Sequence, residues 1–495
     1  MARKWLEGAA ELRQETVTKP FTKTPGKRAD ELISVSLSKL TKHIEGNTEM
    51  TNGNKAEQKN KLATKWLFTK NKSCSCTMPG VWRAVSFCEG CAVIFHSPLG
   101  CAHVATLMDL GAQYRIIGDH QDEKLDAVPL ISSNLQERDS IFGGVEKLRG
   151  CIAHVIKTWQ PKCLIIATSC VAGVIGDDVE QEAEDAESAY HIPALCVPYG
   201  GFLGGEYSDG YFQTVRLIME RFIKPQPKIP GRVLLFGDQM GPCGQYAREV
   251  KRLLAYFDLD VKWQFPGYVP FAEWGELSTA SLLIPLNYAG QTQGGLEKTA
   301  AAWAERFDTP SIRDVYPVGW QNTCDWLRKI AAFVKDEAKG ETVIRQEEKR
   351  LQDYVKSVLP MTQHKKAVLG IGRGPRWYNP AETLNTMRRM QMEISAVILY
   401  DKLMDEERDA VIADVEEWKT ESGLPDFPII ADGDYNRCLE QADVLLTTDE
   451  LPDNPVKQFF IPMVPLAGTD GELILMRTIY RLLCRYGNKG GIAYA

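Results

Sequence analysis

The chain has 495 residues, 44% of them apolar and 25% charged, which is an ordinary globular composition and too long for one hydrophobic core. Its net charge of −7 speaks against nucleic acid or an anionic membrane surface as a partner. The opening "MARKWLEGAAELRQE" lacks the apolar stretch of a signal peptide, and the most apolar segment, Cys163–Gly176, is too short and too polar at its centre to span a bilayer. A cytoplasmic location is therefore the default expectation. In that compartment, clustered cysteines read as metal ligands or redox groups rather than disulfides.

Residues 1–65 are polar, rich in Lys, Thr, Glu and Asn, and read as an N-terminal extension with one or two helices or as a mobile tail. The next stretch carries the strongest local signal. "CSCTMPGVWRAVSFCEGCAVIFHSPLGC" runs from Cys74 to Cys101 and holds five of the chain's 13 cysteines, where even scattering would put fewer than one.

From there the chain alternates. Short apolar runs recur as "CLIIATS", "ALCVPY", "RVLLFGD", "SLLIPLNY", "AVLGIG", "ISAVILY", "FPIIAD" and "DVLLTT". They have the length and β-branched content of buried parallel strands. Amphipathic segments of helical length lie between them, at Asp177–Tyr190, Tyr207–Phe222, Gly244–Tyr256, Gln293–Phe307, Pro380–Met392 and Asp405–Ser422. This alternation predicts an α/β fold of parallel sheets. Two Pro-bearing joints, "IKPQPKIPG" (Ile223–Gly231) and "LPMTQHKK" (Leu359–Lys366), each precede a fresh strand. They predict three Rossmann-like domains, at 66–226, 227–360 and 361–495.

Cys76 opens "CTMPG", Cys101 closes "HSPLGC" and Cys170 ends "CLIIATSC". Each lies beside glycine or proline or just past a predicted strand, where ligands bind in such sheets. Three thiols from three separate segments suit a polynuclear iron–sulfur cluster better than zinc, whose structural sites draw close cysteine pairs. The plain alternative is that they are small buried hydrophobes. Cys88 and Cys91 form a C-x2-C pair, and Cys74 adds a further thiol. These three are candidates for an extra metal or redox role, or for packing. His96 and His103 flank Cys101 and could serve a cluster, although a satisfied structural histidine is the commoner case. "GIGRGPRW" (Gly370–Trp377) lacks the third glycine of the dinucleotide fingerprint. Its Arg373 and Arg376 are weak candidates for contact with an anionic ligand or cluster.

Together these segments make the chain resemble the component 1 family of nitrogenases and nitrogenase-like reductases. The motifs are "HSPLGC", "ERDSIFGGVEKL" (Glu137–Leu148) and "ATSCVAGVIGDD", in that order. The resemblance implies that Cys76, with Cys74 as the alternative at the same place, Cys101 and Cys170 hold this chain's half of a P-cluster-like iron–sulfur cluster, of eight irons or of four, shared with a homologous partner subunit. It also implies an α2β2 heterotetramer, an ATP-dependent iron protein as electron donor, and an active-site iron–sulfur metallocluster. The family's α-type subunits hold that metallocluster with one Cys in the second domain and one His near the C-terminus. Here Pro285 of "SLLIPLNYAG" stands where the Cys would be, and the last histidine is His364. This points to a β-like, electron-relaying subunit whose metallocofactor sits in the partner, although "GIGRGPRW" resembles a cofactor-contacting loop of α-type subunits. The surplus Cys74, Cys88 and Cys91 look more like the nitrogenase-like reductases, with the methylthio-alkane reductase group nearest. That group implies reductive C–S cleavage of small methylthio compounds. The competing expectation is a non-catalytic scaffold for cofactor assembly.

Overall fold

The structure, a computed structural model, describes residues 76–486 apart from 120–124, 199, 289–293, 373–377, 401–402, 404, 424–425, 432–434, 450, 452–455 and 463. The expected N-terminal extension and Cys74 lie outside the described residues, as do Arg373 and Arg376. The described residues belong to one compact unit, Ser73–Ala495. Among them, no helix is long and apolar enough to cross a membrane.

Three separate all-parallel sheets follow one another along the chain. The first begins with α1 (Thr77–Arg83), β1 (Cys91–His96), α2 (Leu99–Asp119) and β2 (Leu130–Ser132). It continues through α3 (Asp139–Phe142), α4 (Val145–Trp159), β3 (Cys163–Thr168), α5 (Cys170–Ile175), α6 (Val179–Tyr190), β4 (Ala194–Val197) and α7 (Tyr207–Phe222). Its strand order is β2-β1-β3-β4. Every residue of the central strands "CAVIFH" and "CLIIAT" is buried, as strands covered by helices on both faces require. β1 pairs with β3 in register, from Cys91 beside Cys163 to His96 beside Thr168. α7 starts at a capping box of Glu206 and Asp209 and turns Tyr211, Val215, Ile218 and Met219 inward at helical spacing.

The second sheet, of order β6-β5-β7, comprises β5 (Ile229–Phe236), α8 (Gln245–Ala255), β6 (Asp260–Phe265) and β7 (Ala280–Pro285). Helices α9 (Gly295–Phe307), α10 (Trp320–Val334) and α11 (Glu337–Thr362) follow it. The third sheet comprises β8 (Lys366–Ile371), α12 (Pro380–Arg389), β9 (Glu393–Leu399), α13 (Asp405–Ser422) and β10 (Ile429–Ile430). It is completed by α14 (Asn436–Glu440), β11 (Val444–Thr447), β12 (Lys457–Phe460) and α15 (Gly468–Cys484), in the order β10-β9-β8-β11-β12.

All eight expected apolar runs contain strands. The joint at 359–366 is not an open linker. α11 runs on to Thr362 with Pro360 inside its last turn, at the cost of the one backbone bond that an N–H at position 360 would donate to the carbonyl four residues back. The cores are also shared between sheets. One hydrophobic cluster joins residues of the first and second sheets, and a larger one joins the second and third. An ion pair between a buried arginine and a half-buried aspartate reinforces the first of these joins. Arg83 of α1 donates to both carboxylate oxygens of Asp238, just past β5, at 2.7 and 2.8 Å.

Each sheet reverses its strand order once. In the first sheet the reversal lies between β1 and β3, so the crevice for a ligand opens beyond the C-terminal ends of those two strands.

Candidate metal centre

Cys101 and Cys170 both lie at that reversal point, Cys101 in the first turn of α2 after β1 and Cys170 as the first residue of α5 after β3. Cys76 is the N-cap residue of α1, and its extended backbone bridges antiparallel to Glu206. All three are half-buried. The glycines and prolines around them predict loops, whereas each thiol in fact stands at the start of a helix.

The three thiols lie within electrostatic reach of one another. Burial raises the Cys76 thiol above its ordinary range, and neighbouring Cys170 adds to this, while the Met78 N–H works the other way. Burial likewise raises Cys101, with Cys170 and Cys76 adding to it and Ser97 opposing. Among the described residues, no three His, Cys, Asp or Glu side chains gather tightly enough to hold one metal ion. The trio is therefore not a closed tetrahedral zinc site. It offers single thiolates at separate points on one partly open surface, and this donor set fits a polynuclear cluster completed from outside the chain.

The side chains behind the thiols explain the three sequence motifs. His96, fully buried at the end of β1, meets the Asp177 carboxylate at 2.8 Å through Nε2 and the Ser133 hydroxyl at 2.9 Å through Nδ1. Ser133 Oγ also accepts from Ser97 N–H. The Gly144 N–H donates to both Asp177 oxygens, at 2.9 and 3.0 Å. The tautomer in which Nε2 donates to the carboxylate leaves Nδ1 to accept from Ser133. Burial lowers the His96 pKa, and Asp177 only partly offsets this. Asp177 thus does not cap the following helix. Asp178 does, its side chain accepting the Gln181 N–H at 3.1 Å. His103, by contrast, is exposed.

Sequence reasoning passed over the segment "YGGFLGGE", whose described residues, 200–206, press on two of the thiols. The Gly201 carbonyl accepts from Thr77 Oγ1 at 3.1 Å, next to Cys76. A Cβ on Gly201, whose φ is +69°, would stand 3.0 Å from Cys170 Sγ. The only available cue was the density of glycine just after β4, which by itself names no partner.

Cys88 and Cys91 do not join the other three. They sit with Cys163 at the opposite, N-terminal edge of the sheet, about 16 Å along the strand from His96 at ~3.3 Å per residue. Burial pushes the Cys88 thiol up to about 12. Cys91 is raised well above its ordinary range, first by its hydrogen bond to Cys163 and then by burial. Neutral, enclosed thiols of this kind pack like small apolar side chains. Pro285 ends β7 with its side chain buried, and Ala467, beginning the closing helical segment, exchanges two 2.8 Å hydrogen bonds with the Gln245 amide.

The sequence model of the family described as nitrogenase component 1 type oxidoreductase matches residues 76–448. The nitrogenase molybdenum-iron protein alpha chain of Methanosarcina barkeri is 24% identical over 56% of this chain and 51% of its own length. The nitrogenase iron-molybdenum cofactor biosynthesis protein NifE of Clostridium pasteurianum is 26% identical over 56% of this chain and 58% of its own length. The chain thus spans about half the length of these curated relatives. Among solved structures, nitrogenase Cp1 superposes with a TM-score of 0.55 at 18% identity, over 83% of this chain and 88% of that one, and so shares the fold. The chain belongs to the nitrogenase component 1 family of oxidoreductases.

Proposed function

We propose that this chain is a β-like subunit of a nitrogenase-like reductase, with Cys76, Cys101 and Cys170 holding its half of a P-cluster-like iron–sulfur cluster shared with a homologous partner. The observation that carries the reading is that two half-buried thiols, Cys101 and Cys170, stand at helix starts at the strand-order reversal of the first sheet, with the half-buried Cys76 thiol at the start of α1 within electrostatic reach of both. The elements bearing them also expose large apolar side chains, Leu99, Val174, Phe202 and Leu203 among them. Surfaces of that kind mark protein contacts. When bound, such a cluster supplies one-electron transfer at a potential set by the hydrogen bonds and burial around its sulfurs. This chain's own contribution is to hold the thiols, to surround them with backbone N–H groups and to exclude water once the partner is seated.

The electron donor in this reading is an ATP-dependent iron protein. In this reading the substrate-reducing metallocofactor sits in the partner, because Pro285 occupies the expected cysteine position. The proposed reaction is reductive C–S cleavage of small methylthio-alkanes, a reading that rests on the resemblance of the cysteine pattern alone.

A second reading is favoured by one observation. The NifE of Clostridium pasteurianum matches the same 56% share of this chain as the alpha chain of Methanosarcina barkeri does, so a scaffold for cofactor assembly fits the same loss of the expected cysteine. Anaerobic co-purification with the partner, followed by addition of iron protein, ATP and reductant, separates the two. Turnover of methylthio substrates, protons or acetylene supports the enzyme, and iron-replete protein inert toward all of them supports the scaffold. Iron and sulfide should be present in the complex, and Cys170→Ala should lower both. Zinc without iron, or unchanged iron in Cys170→Ala, would overturn the ligand assignment.

A further inference from the structure

We propose that His96 and Asp177 are positioning residues for the cluster, a buried clamp that fixes the Cys101-bearing and Cys170-bearing segments against each other through Gly144 and Ser133. This rests on the reading of Cys76, Cys101 and Cys170 as cluster ligands.

Cys170 lies on α5, a helix of only six residues that buries a single side chain, Ala172. So short a helix has little packing of its own to hold it in place. Its far end is fixed by Gly176 in the left-handed region and then by Asp177. The Asp177 carboxylate takes the Gly144 N–H with both oxygens and the His96 Nε2–H with one of them. His96 in turn is the last residue of β1 and leads directly into Ser97, Pro98 and the turn bearing Cys101. Ser133 completes the chain of bonds by joining His96 Nδ1 to the Ser97 N–H. Three separate segments, 96–101, 141–144 and 170–177, therefore meet at one carboxylate.

The site leaves no slack. A Cβ on Gly144 would lie 2.3 Å from Leu135 Cδ2, 2.7 Å from Asp177 Oδ2 and 3.1 Å from His96 Cε1. Both side chains of the pair are almost wholly removed from solvent. A solvated ion pair would add little rigidity. A buried pair with every donor and acceptor matched defines one geometry, and groups of this kind behind metal ligands typically govern metal retention by 10–100-fold.

The test uses the complex of this chain with its partner, purified anaerobically. Its readouts are the rate of iron release to a chelator, the midpoint potential and the EPR spectrum of the cluster. Wild type and Cys170→Ala come first. A wild-type complex without iron overturns the ligand reading, and the clamp falls with it. With that reading standing, His96→Leu and Asp177→Ala are expected to release iron about tenfold faster and to shift the potential. His96→Gln keeps a donor for Asp177 and is expected to recover most of the retention. Leu148→Ala is the control, since it opens the core of the same sheet while altering no side chain of the network and keeping the backbone bond of Leu148 N–H to the Gly144 carbonyl. It is expected to lower the unfolding midpoint while leaving iron release and the spectrum as in wild type. Equal acceleration in Leu148→Ala would reduce the effect to general loosening and overturn the clamp. If the Leu and Ala variants fail to fold, Asp177→Asn decides: faster iron release supports the clamp, and wild-type release with a wild-type spectrum overturns it.

Discussion

Gly201 and Gly144 both need to be glycine, for different reasons. Gly201 has a φ of +69°, and a Cβ there would also meet the backbone nitrogen, Cβ and Sγ of Cys170 at 2.6–3.0 Å. Gly144 has a φ of −106°, which any residue can adopt, but no room for a side chain. Gly176, with φ of +85° and nothing within 4 Å of its would-be Cβ, separates conformation from contact. Gly176→Ala should cost about 1 kcal/mol, the left-handed penalty alone, and leave the iron content unchanged. Gly201→Ala should destabilise the chain by more than this and also displace the Cys170 thiol, lowering iron per complex. Chemical denaturation and iron analysis measure the two effects separately, and full iron in Gly201→Ala would refute the predicted displacement. The cysteines were visible in the sequence because their crowding is a local property. The contact of Gly201 with Cys170 spans 31 positions and exists only after folding, so no local pattern announces it. Cys88 and Cys91 show the reverse. Their C-x2-C spacing reads as chemistry, but their partner in space is Cys163, brought beside Cys91 by strand pairing.

Strands were legible where both faces are buried, because an unbroken run such as "VLLF" or "AVLGI" needs no partner to be recognised. β6 ("DVKWQF") and β12 ("KQFF") were missed, since strands that keep charged or amide side chains lose the continuous apolar signature. β1 was hidden by the cysteines around it. Contacts between helices are less legible still, and the best example joins α8, α11 and α15. Glu347 of α11, fully buried, accepts from both Nη atoms of Arg252 at 2.9 and 2.7 Å, from Tyr256 at 2.8 Å and from Arg350 at 2.7 Å. Burial works against its charge, but these donors win and bring its pKa down to about 2. Glu249 and Asp470 complete the group from α8 and α15. Because the folded pKa lies below the ordinary value of 4.5, the stabilisation from Glu347 is complete above pH 4.5 and is lost as pH falls toward 2. Glu249 and Glu472 are raised by burial and titrate with the opposite sign. Only the difference between wild type and variant isolates Glu347. Glu347→Gln should cost about 3 kcal/mol at pH 7, at the low end for breaking a buried pair because Arg252 keeps Glu249. That difference should shrink steadily below pH 4.5. Urea unfolding at pH 7 and pH 3.5 tests this, and an equal deficit at both would assign the loss to packing instead.

The three sheets repeat one plan, each with a single reversal of strand order, and most of the segments singled out as candidates for chemistry have described residues at those reversals. Cys101 and Cys170 follow β1 and β3, Asp238 and Pro285 follow or end β5 and β7, and Gly372 follows β8. The first reversal opens onto an apolar surface rather than an enclosed cavity. Along α2, Val104, Leu107, Met108 and Tyr114 are exposed, and nearby elements expose Ile141, Phe142, Val174, Phe202 and Leu203. A single chain rarely leaves so many large apolar groups in water without a use, and here they accompany thiols that need covering. The proposed partner subunit supplies both the cover and the missing ligands. Val104→Asp/Leu107→Asp should therefore block assembly. Losing two buried aliphatic side chains removes about 3 kcal/mol or more of association free energy, and burying two carboxylates adds to that. Affinity should fall by at least about 100-fold. Both positions are solvent-exposed in the isolated chain, so its circular dichroism and unfolding midpoint should stay near wild type. Iron retention should drop along with assembly, because half of a shared site leaves the cluster open to water. Co-elution of the doubly substituted chain with its partner at wild-type stoichiometry would mean that the partner docks elsewhere and that the thiols are completed by some other surface.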